Sequence, residues 1–552
     1  MGMRKLQLLA VALILLLGSL SFLIACQQAA PLPAPERQAL RVLLMPLDSR
    51  PVNTQHPHLL ARIAGCELIM PPPELLDNYT QPSDTDGLLS WLEQKMGDVD
   101  MAIIATNNPL AGGLIASRHP AAYAQLDERL ERLTATLEQY PAVDVTVICV
   151  LPRQLPTQFS NPGWTFRDQL VRYGQLLDKQ AQGSATAQEL ADLGRVERSL
   201  PERTRLGYLA VYAANRRIGG QLLDATLAGY LDNLVFTLDD AASFGLSNLH
   251  RRELLQSAAD QGIAERVHSL TGADETSMLA LARMLVQQSG ARPSWQVRYQ
   301  QAADADRIMR YESEPLSSAI SEKTAFVGAF SDDDEDANQL FVHARPGEGG
   351  VTRLAAELSE EHSRGRLTGV IDVALINESD QSFIRSLLTQ TGGAAIDSYA
   401  GWNTASNSIG SVVAHLAVRN VVTLQQRAAT PSESSLLREQ LAADLEYRFL
   451  HFADEGSYQA VARAALASWL REQRIAAEPI PQSQQGKADA KLSELMQPLL
   501  TAWSSLLQGE YEYHFSPDHT LTLSVAAWRW ETRLPWPRLF EVQVVPTVDI
   551  DA

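Results

Sequence analysis

The stretch from Arg41 to Asn53, RVLLMPLDSRPVN, decides the fold that we expect. An apolar run stops at a polar turn that contains two prolines, and an amphipathic helical pattern follows. A buried strand that leads through a short turn into a helix is the repeating half of a parallel βα unit. The stretch therefore predicts an α/β fold with a parallel sheet.

The same alternation of short apolar runs and amphipathic stretches continues along most of the chain. Two open doubly wound sheets, joined near residue 290, use every strand candidate, whereas a TIM-like (β/α)8 barrel leaves some outside. We therefore expect parallel βα repeats in two Rossmann-like halves and a smaller C-terminal α+β region, with a barrel plus C-terminal domain as the alternative. The strand candidates begin at residues 41, 66, 101, 145, 233 and 266 in the first half and at 295, 324, 339, 369 and 394 in the second.

Changes in this pattern give the expected domain limits. Residues 40–290 form an N-terminal α/β domain, residues 291–425 a second α/β domain, and residues 426–552 a helical and β cap. Within the cap, the pattern predicts long helices, a polar loop at residues 481–491 (PQSQQGKADAK) and a β-rich end.

The first 39 residues are typical of an exported bacterial lipoprotein. Arg4 and Lys5 precede an apolar run that ends in Leu-Ile-Ala-Cys at Cys26. Residues 1–25 are therefore expected to be a signal peptide, Cys26 the lipid-bearing (palmitate) residue, and residues 26–39 a Pro/Ala tether. The protein would then be exported and anchored to the cell membrane. An uncleaved transmembrane anchor is the alternative, because the apolar run approaches the ~20 residues that span a bilayer.

The charge of the chain argues against nucleic acid as a partner. Acidic residues number 65 and basic residues 46, which gives a net charge of −19. A surface this acidic repels phosphate backbones, and the sequence has no basic patch with interleaved aromatic residues. A small-molecule or glycan substrate is the partner that we expect.

Polar residues follow the first and third predicted strands. Ligands gather at the carboxyl ends of parallel strands in both candidate architectures, so these positions face the expected site. An ion-paired turn at residues 48–50 and a glycine turn at residues 112–113 are the alternatives. The candidates are the acid Asp48 for catalysis and Arg50, Asn53, Asn107, Asn108 and Arg118 for substrate binding.

Paired acids follow the fifth and sixth predicted strands. They are Asp239-Asp240 and Asp274-Glu275. Such pairs can supply a general acid and base, a nucleophile, or oxygen ligands for Ca²⁺ or Mg²⁺. The second pair also begins a helix, where acids are favoured without any function. The acidic run at residues 332–336 lacks the spacing of a calcium loop, and no zinc-hydrolase or serine-hydrolase motif is present.

The segment YAGWNTASNSIG, residues 399–410, carries an unusual set of polar and aromatic side chains. It is predicted to be a strand-to-helix corner, and a helix cap and close packing explain only part of its composition. Aromatic stacking combined with amide hydrogen bonds is the chemistry that holds sugars and other polyols. Tyr399, Trp402, Asn403 and Asn407 are therefore candidate substrate-binding residues.

Six segments together resemble an uncharacterised bacterial family of unknown function. They are MPLDSRPVN, NNPLAGGLIASR, LDDAASFG, GADE, YAGWNTASNSIG and LPWPRLFEV, in this order, and the resemblance extends over roughly residues 40–545. The resemblance implies no activity, but it implies that the six segments belong to one site. INESD at residues 376–380 departs from the pattern, in which an Asn-Gly pair is expected.

These observations favour an exported, lipid-anchored, glycoside hydrolase-like enzyme. It would act on a carbohydrate or cell-wall glycan through its paired carboxylates, without a certain cofactor and with Ca²⁺ or Mg²⁺ as candidate ions. A two-lobed solute-binding lipoprotein of a transporter is the rival interpretation, and a non-catalytic envelope protein is a third. Convergence of acids from several strand ends would favour the enzyme.

Overall fold

Two open parallel sheets form the centre of the protein in its computed structural model, which describes residues 39–157, 162–239, 242–328, 337–428, 435–516 and 518–551. Residues 41–552 belong to one unit of the chain. Several predictions lie outside the described residues: the signal peptide, Cys26, Asp240, the acidic run at 332–336 and all but the last residue of the tether. The domain limits at 290 and 425 stay a prediction.

The first sheet contains six strands within the described residues. All neighbours are parallel, and the order is β2-β1-β3-β4-β5-β6. The order reverses between β1 and β3, and such a switch point is where open α/β sheets bind ligands. The strands are β1 (Arg41–Met45), β2 (Glu67–Ile69), β3 (Met101–Ala105), β4 (Asp144–Leu151), β5 (Asn233–Leu238) and β6 (Val267–Thr271).

Helices cover both faces of this sheet because its central strands are buried runs of Val, Ile and Leu, which need cover on each side. Between β4 and β5 the described residues form three helices, α5 to α7. The helices are α1 (Pro51–Ala64), α2 (Thr85–Lys95), α3 (Asn107–Ala111), α4 (Leu126–Gln139), α5 (Arg167–Ala181), α6 (Ala187–Ser199), α7 (Glu202–Ala228), α8 (Leu246–Asp260) and α9 (Thr276–Ser289).

The second sheet has four described parallel strands in the order β10-β9-β8-β7. Two open sheets that lie on either side of residue 290 in the chain confirm the doubly wound prediction, and the barrel alternative is wrong. The strand predicted at 324 is also wrong, because residues 324–327 end a helix. The elements are β7 (Trp295–Tyr299), α10 (Leu316–Val327), β8 (Asn338–His343), α11 (Val351–Ser363), β9 (Thr368–Asp372), α12 (Gln381–Thr391), β10 (Ser398–Ala400) and α13 (Ala405–Ala428).

The C-terminal region combines helices with a small antiparallel sheet, as the sequence predicts. The polar loop predicted at 481–491 is instead largely helical, since its Gln, Lys and Ala residues are good helix formers. The elements are α14 (Ser435–Ala453), a π-helical segment (Asp454–Ala462), α15 (Arg463–Glu472), α16 (Gln482–Leu506), β11 (Gly509–Ser516), β12 (His519–Arg533) and β13 (Gln543–Asp551). Among the described helices, none has both the length and the apolar character that a bilayer crossing requires.

Helix α13 connects the two sheets. It packs against α9, which follows the last strand of the first sheet, and against β9 and β10 of the second sheet. Leu416, Val412 and Val413 on this helix are fully buried. This packing brings the carboxyl ends of strands from both sheets to one region of the protein.

Candidate functional site

Two adjoining clefts lie where the strand ends of both sheets meet. The first, which we call the aspartate cleft, has a volume of about 280 Å³. The carboxyl ends of β5 and β6 form one wall, and the corner before α13 forms the other. Its lining residues are Leu238, Asp239, Gly272, Ala273, Asp274, Tyr311, Glu312, Asn403, Thr404 and Asn407.

The second, which we call the tryptophan cleft, is larger, at about 480 Å³. It lies between the start of α1, the same corner before α13, the π-helical segment and the loop before β13. Asn403 lines both clefts, so the two are neighbours. The lining residues are Arg50, Pro51, Val52, His56, Asn377, Trp402, Asn403, Asp454, Gln459, Phe540, Glu541 and Val542.

Arg50 joins the two clefts electrostatically. Its guanidinium donates two hydrogen bonds to Asp274, at 2.5 and 3.1 Å, and one from Nε to Asp48 at 2.9 Å. A carboxylate oxygen of Glu541 lies 4.0 Å from Nη1 of Arg50. One buried cation therefore interacts with acids from the ends of β1 and β6 and from the loop before β13.

Asp48 holds Arg50 in place through hydrogen bonds. The Asp48 carboxylate is fully buried and also accepts hydrogen bonds from the Arg50 backbone N–H and from Asn53 Nδ2. Asp77 lies nearby and accepts from the Ser49 backbone N–H. Burial and the charge of Asp48 raise the pKa of Asp77 well above its usual value. Asp48 and Asn53 thus position Arg50, and neither lines a cleft.

The surroundings of Asp239 and Asp274 shift the pKa values of these two acids in opposite directions. Burial alone would raise the pKa of Asp239, but Arg118, Arg153 and Arg50 together lower it, and Arg118 Nη2 lies 2.8 Å from its carboxylate. Burial raises the pKa of Asp274 despite the opposing charge of Arg50, and the charges of Asp48 and Asp239 add to the effect of burial. The aspartate cleft therefore contains one acid whose pKa is lowered and one whose pKa is raised.

Glu275 lies beneath the aspartate cleft, not in it. Asn407 Nδ2 donates to its carboxylate at 2.7 Å, and Lys323 Nζ lies 3.6 Å away. Burial raises the pKa of Glu275 to about 7. A Cβ at Gly272 or Gly410 would come within 2.0 or 2.2 Å of this side chain, so both glycines make room for it.

The corner before α13 presents Trp402 and Asn403 to the clefts. Trp402 Nε1 donates to Ser411 Oγ at 3.1 Å, and its ring centroid lies 6.2 Å from that of His56. Asn403 adopts the left-handed conformation, with φ of 51°, which asparagine tolerates better than most residues. Asn407 accepts from the Thr404 hydroxyl at 2.8 Å and lines only the aspartate cleft. A hydrogen bond thus holds Trp402 at the surface of the site, next to Asn403.

Asp454 and Glu541 are cleft residues that sequence reasoning missed. Burial raises the pKa of Asp454 to about 7, and the charges of Glu455 and Glu541 add to this effect. Glu541 is paired with Arg538, whose Nε lies 2.8 Å from its carboxylate, and it faces Arg50 on another side. The segment LPWPRLFEV contains Glu541, but Asp454 lies in a π-helical turn that carries no recognisable sequence pattern. Such turns occur often at functional sites.

A family model described as a protein of unknown function, DUF4127, matches residues 42–545. The chain belongs to this family. The match confirms the resemblance to an uncharacterised family over roughly the expected residues. The DUF4127 description gives no activity. A comparison with curated proteins finds no significant match.

One solved structure shares a weak likeness with this DUF4127 chain. It is the crystal structure of an ABC transporter solute-binding protein from Clostridium phytofermentas with bound L-rhamnose. The two chains are 10% identical, and the likeness covers 71% of this chain and 83% of the other with a TM-score of 0.15. A TM-score that low carries no argument about fold or function.

The DUF4127 fold brings many of the predicted residues together and buries others. Asn107 and Asn108 lie in α3, where Asn108 donates to the Pro46 carbonyl and so ties the end of β1 to that of β3. Tyr399 is buried, and its hydroxyl donates to Asp372 at 3.0 Å. None of these three side chains lines either cleft. Arg50, Asp239, Asp274, Trp402, Asn403 and Asn407 do line them, and Arg118 holds Asp239.

The second half of the DUF4127 chain also contains a buried Ser-His-Asp arrangement. His415 Nδ1 lies 3.0 Å from Ser398 Oγ, and its Nε2 lies 2.8 Å from Asp444. All three side chains are buried, and Arg419 and Arg448 share Asp444. These contacts indicate a structural network, not a catalytic triad, which needs a hydroxyl that substrate can reach.

We expect the Ser398→Ala variant to keep the enzymatic or binding activity of the protein. The substitution removes one buried hydrogen bond, which costs about 1 kcal/mol of unfolding free energy. Turnover or ligand affinity, measured beside a urea titration, checks this expectation. Loss of activity with the fold intact would instead make Ser398 a nucleophile.

Proposed function

We propose that the protein is a hydrolase that acts on a carbohydrate or cell-wall glycan in the tryptophan cleft. One observation carries the proposal: Asp454 and Glu541 line this cleft with opposite electrostatic environments. The pKa of Asp454 is raised to about 7, whereas two arginines neutralise the charge of Glu541. Two carboxyl groups in one cleft, one with a raised pKa and one paired with arginines, can act as an acid–base pair.

Bond cleavage would use the two groups in complementary roles. Neutral Asp454 donates its proton to the oxygen of the leaving group as the glycosidic bond breaks. Charged Glu541 accepts a proton from the water that attacks the sugar carbon, so the water adds across the broken bond. Both carboxyl groups return to their starting states when the proton moves back through solvent.

Binding would depend on the corner before α13 and on the aspartate cleft. The Trp402 ring can stack on a sugar face, and the Asn403 amide can both donate to and accept from hydroxyl groups. The aspartate cleft, with Asp239 and Asn407, offers a further set of hydrogen-bonding groups for an adjacent sugar. Acids from the ends of β1, β5 and β6 converge around two arginines, the arrangement that favours an enzyme over an open binding lobe.

A screen of glycans and muropeptides tests the proposal. The protein without residues 1–39 is incubated with each substrate, with and without Ca²⁺ or Mg²⁺, and the release of reducing ends is measured. We expect turnover of at least one glycan. Saturable sugar binding without turnover would instead support the solute-binding interpretation, and neither binding nor turnover would reject both.

Turnover should depend on the protonation of Asp454. The acid must be neutral to donate a proton, and its pKa is raised to about 7. We therefore expect kcat to be constant below this pH and to fall about tenfold for each pH unit above it. A pH–rate profile checks the expectation, and a constant kcat between pH 6 and pH 9 would exclude Asp454 as the acid.

We further propose that the mature protein is anchored to the cell membrane by lipid on Cys26. This proposal rests on the Leu-Ile-Ala-Cys sequence at the end of the apolar run. In cells grown with labelled palmitate, the wild-type protein should carry label in the membrane fraction, and the Cys26→Ser variant should carry none. Equal labelling of both proteins would exclude this residue as the lipidation site.

A further inference from the structure

Three side chains that can bind a metal meet outside both clefts. His362 lies in the last turn of α11, and Glu512 and His514 lie on β11. One ligand atom from each residue lies within 4.8 Å of those from the other two. We propose that His362, Glu512 and His514 form a binding site for Zn²⁺ or a similar transition-metal ion. This proposal does not depend on the proposed hydrolase function.

Local structure explains why the three side chains converge. Glu512 and His514 are two residues apart on a strand, so their side chains point to the same face. His514 Nε2 lies 3.5 Å from the Glu512 carboxylate. The His362 and His514 rings lie at an angle of 68°, with centroids 5.6 Å apart. Side-chain rotations that shorten these separations would bring three ligand atoms around one ion.

The hydrogen bonding of His514 leaves one of its nitrogens available. Nδ1 lies 3.0 Å from the Thr520 hydroxyl, to which it can donate. Nε2 is buried and has no hydrogen-bond partner in the described part of the chain. A histidine that donates through one nitrogen presents the lone pair of the other, and this second contact fixes the orientation of a metal-binding imidazole.

The ligand set indicates which metal the site takes. Two imidazoles and one carboxylate suit Zn²⁺, whereas Ca²⁺ and Mg²⁺ prefer sites made of oxygen atoms alone. Three protein ligands leave one tetrahedral position for water. A bound ion would also link α11, beside the second parallel sheet, to β11 of the C-terminal sheet. Binding to the folded state alone would therefore stabilise the protein.

Metal titration of the full-length protein tests this site. The protein is stripped of metal by a chelator, and Zn²⁺ is then added in a calorimeter and in a thermal unfolding experiment. We expect one equivalent of Zn²⁺ to bind and to raise Tm. His362→Ala and His514→Ala should each weaken Zn²⁺ binding at least about tenfold. Glu512→Gln should weaken it as well, and Ca²⁺ alone should leave Tm unchanged.

His58→Ala is the matched control, because His58 is an exposed histidine on α1 outside the cluster. It should bind Zn²⁺ as the wild type does. The proposal is wrong if the stripped wild type binds no Zn²⁺, or if His514→Ala and Glu512→Gln, folded by circular dichroism, bind it with wild-type affinity. Equal losses in His58→Ala and His514→Ala would also reject it, because they would indicate nonspecific binding to surface histidines.

Discussion

Asp454→Asn should lose at least roughly 100-fold in kcat on any glycan that the wild type cleaves. The amide keeps the size of the side chain and its place beside Gln459, but it cannot donate a proton as an acid does. Since Trp402 and Asn403 are untouched, the affinity for substrate should change little. Initial rates over a range of substrate concentrations separate kcat from KM.

Matched variants identify the role of each carboxyl group. Glu541→Gln should also have a lower kcat than the wild type, because its amide cannot accept a proton from the attacking water. Asp224→Asn, an exposed aspartate on α7, serves as the control and should behave as the wild type. Asp239→Asn tests the aspartate cleft as the reacting centre. If Asp239→Asn is inactive while Asp454→Asn and Glu541→Gln are fully active, the chemistry belongs to the aspartate cleft and our assignment is wrong.

Arg50→Met should lower the free energy of unfolding by about 3–5 kcal/mol at neutral pH. The change removes the buried cation that binds Asp48 and Asp274, and so leaves two buried carboxylates without their partner. Burial raises the pKa of Asp274 and Arg50 opposes this effect, so without the guanidinium the folded-state pKa of Asp274 rises further above its unfolded value. Protonation then favours the folded state, so the loss of stability relative to wild type should shrink as the pH falls from 7 towards 4.

Urea titrations at several pH values measure this effect. The double variant Arg50→Met/Asp274→Asn is the informative comparison, because it removes one of the two orphaned charges. It should be more stable at pH 7 than Arg50→Met alone. A loss that is the same at every pH, or a double variant less stable than the single one, would contradict the electrostatic explanation.

The sequence predicted the parallel sheets because strand patterns are local. Apolar runs such as those at residues 101 and 145 are continuous, and a strand buried on both faces needs that composition. The error at residue 324 has the same origin. A short apolar run fits a buried strand and a buried helix turn equally well, and here helix α10 extends through it.

The candidate site was predictable only where its residues follow strands. Asp239, Asp274 and Arg50 follow β5, β6 and β1, and the rule that ligands meet strand ends selects them. Asp454 and Glu541 come from the C-terminal region, whose position over the first sheet depends on long-range packing. Asn407 was predicted from the composition of its segment to bind a ligand. Much of its hydrogen bonding goes instead to Thr404 and Glu275.

The tryptophan cleft can form only after most of the chain has been made. Arg50 enters it from the residue before α1 and Glu541 from the loop before β13, and the Trp536 indole donates to Ser49 Oγ at 2.7 Å across the same junction. A chain still emerging from the ribosome lacks one wall of the cleft. Any ligand that needs both walls must therefore wait until residues near 541 have been synthesised and have folded.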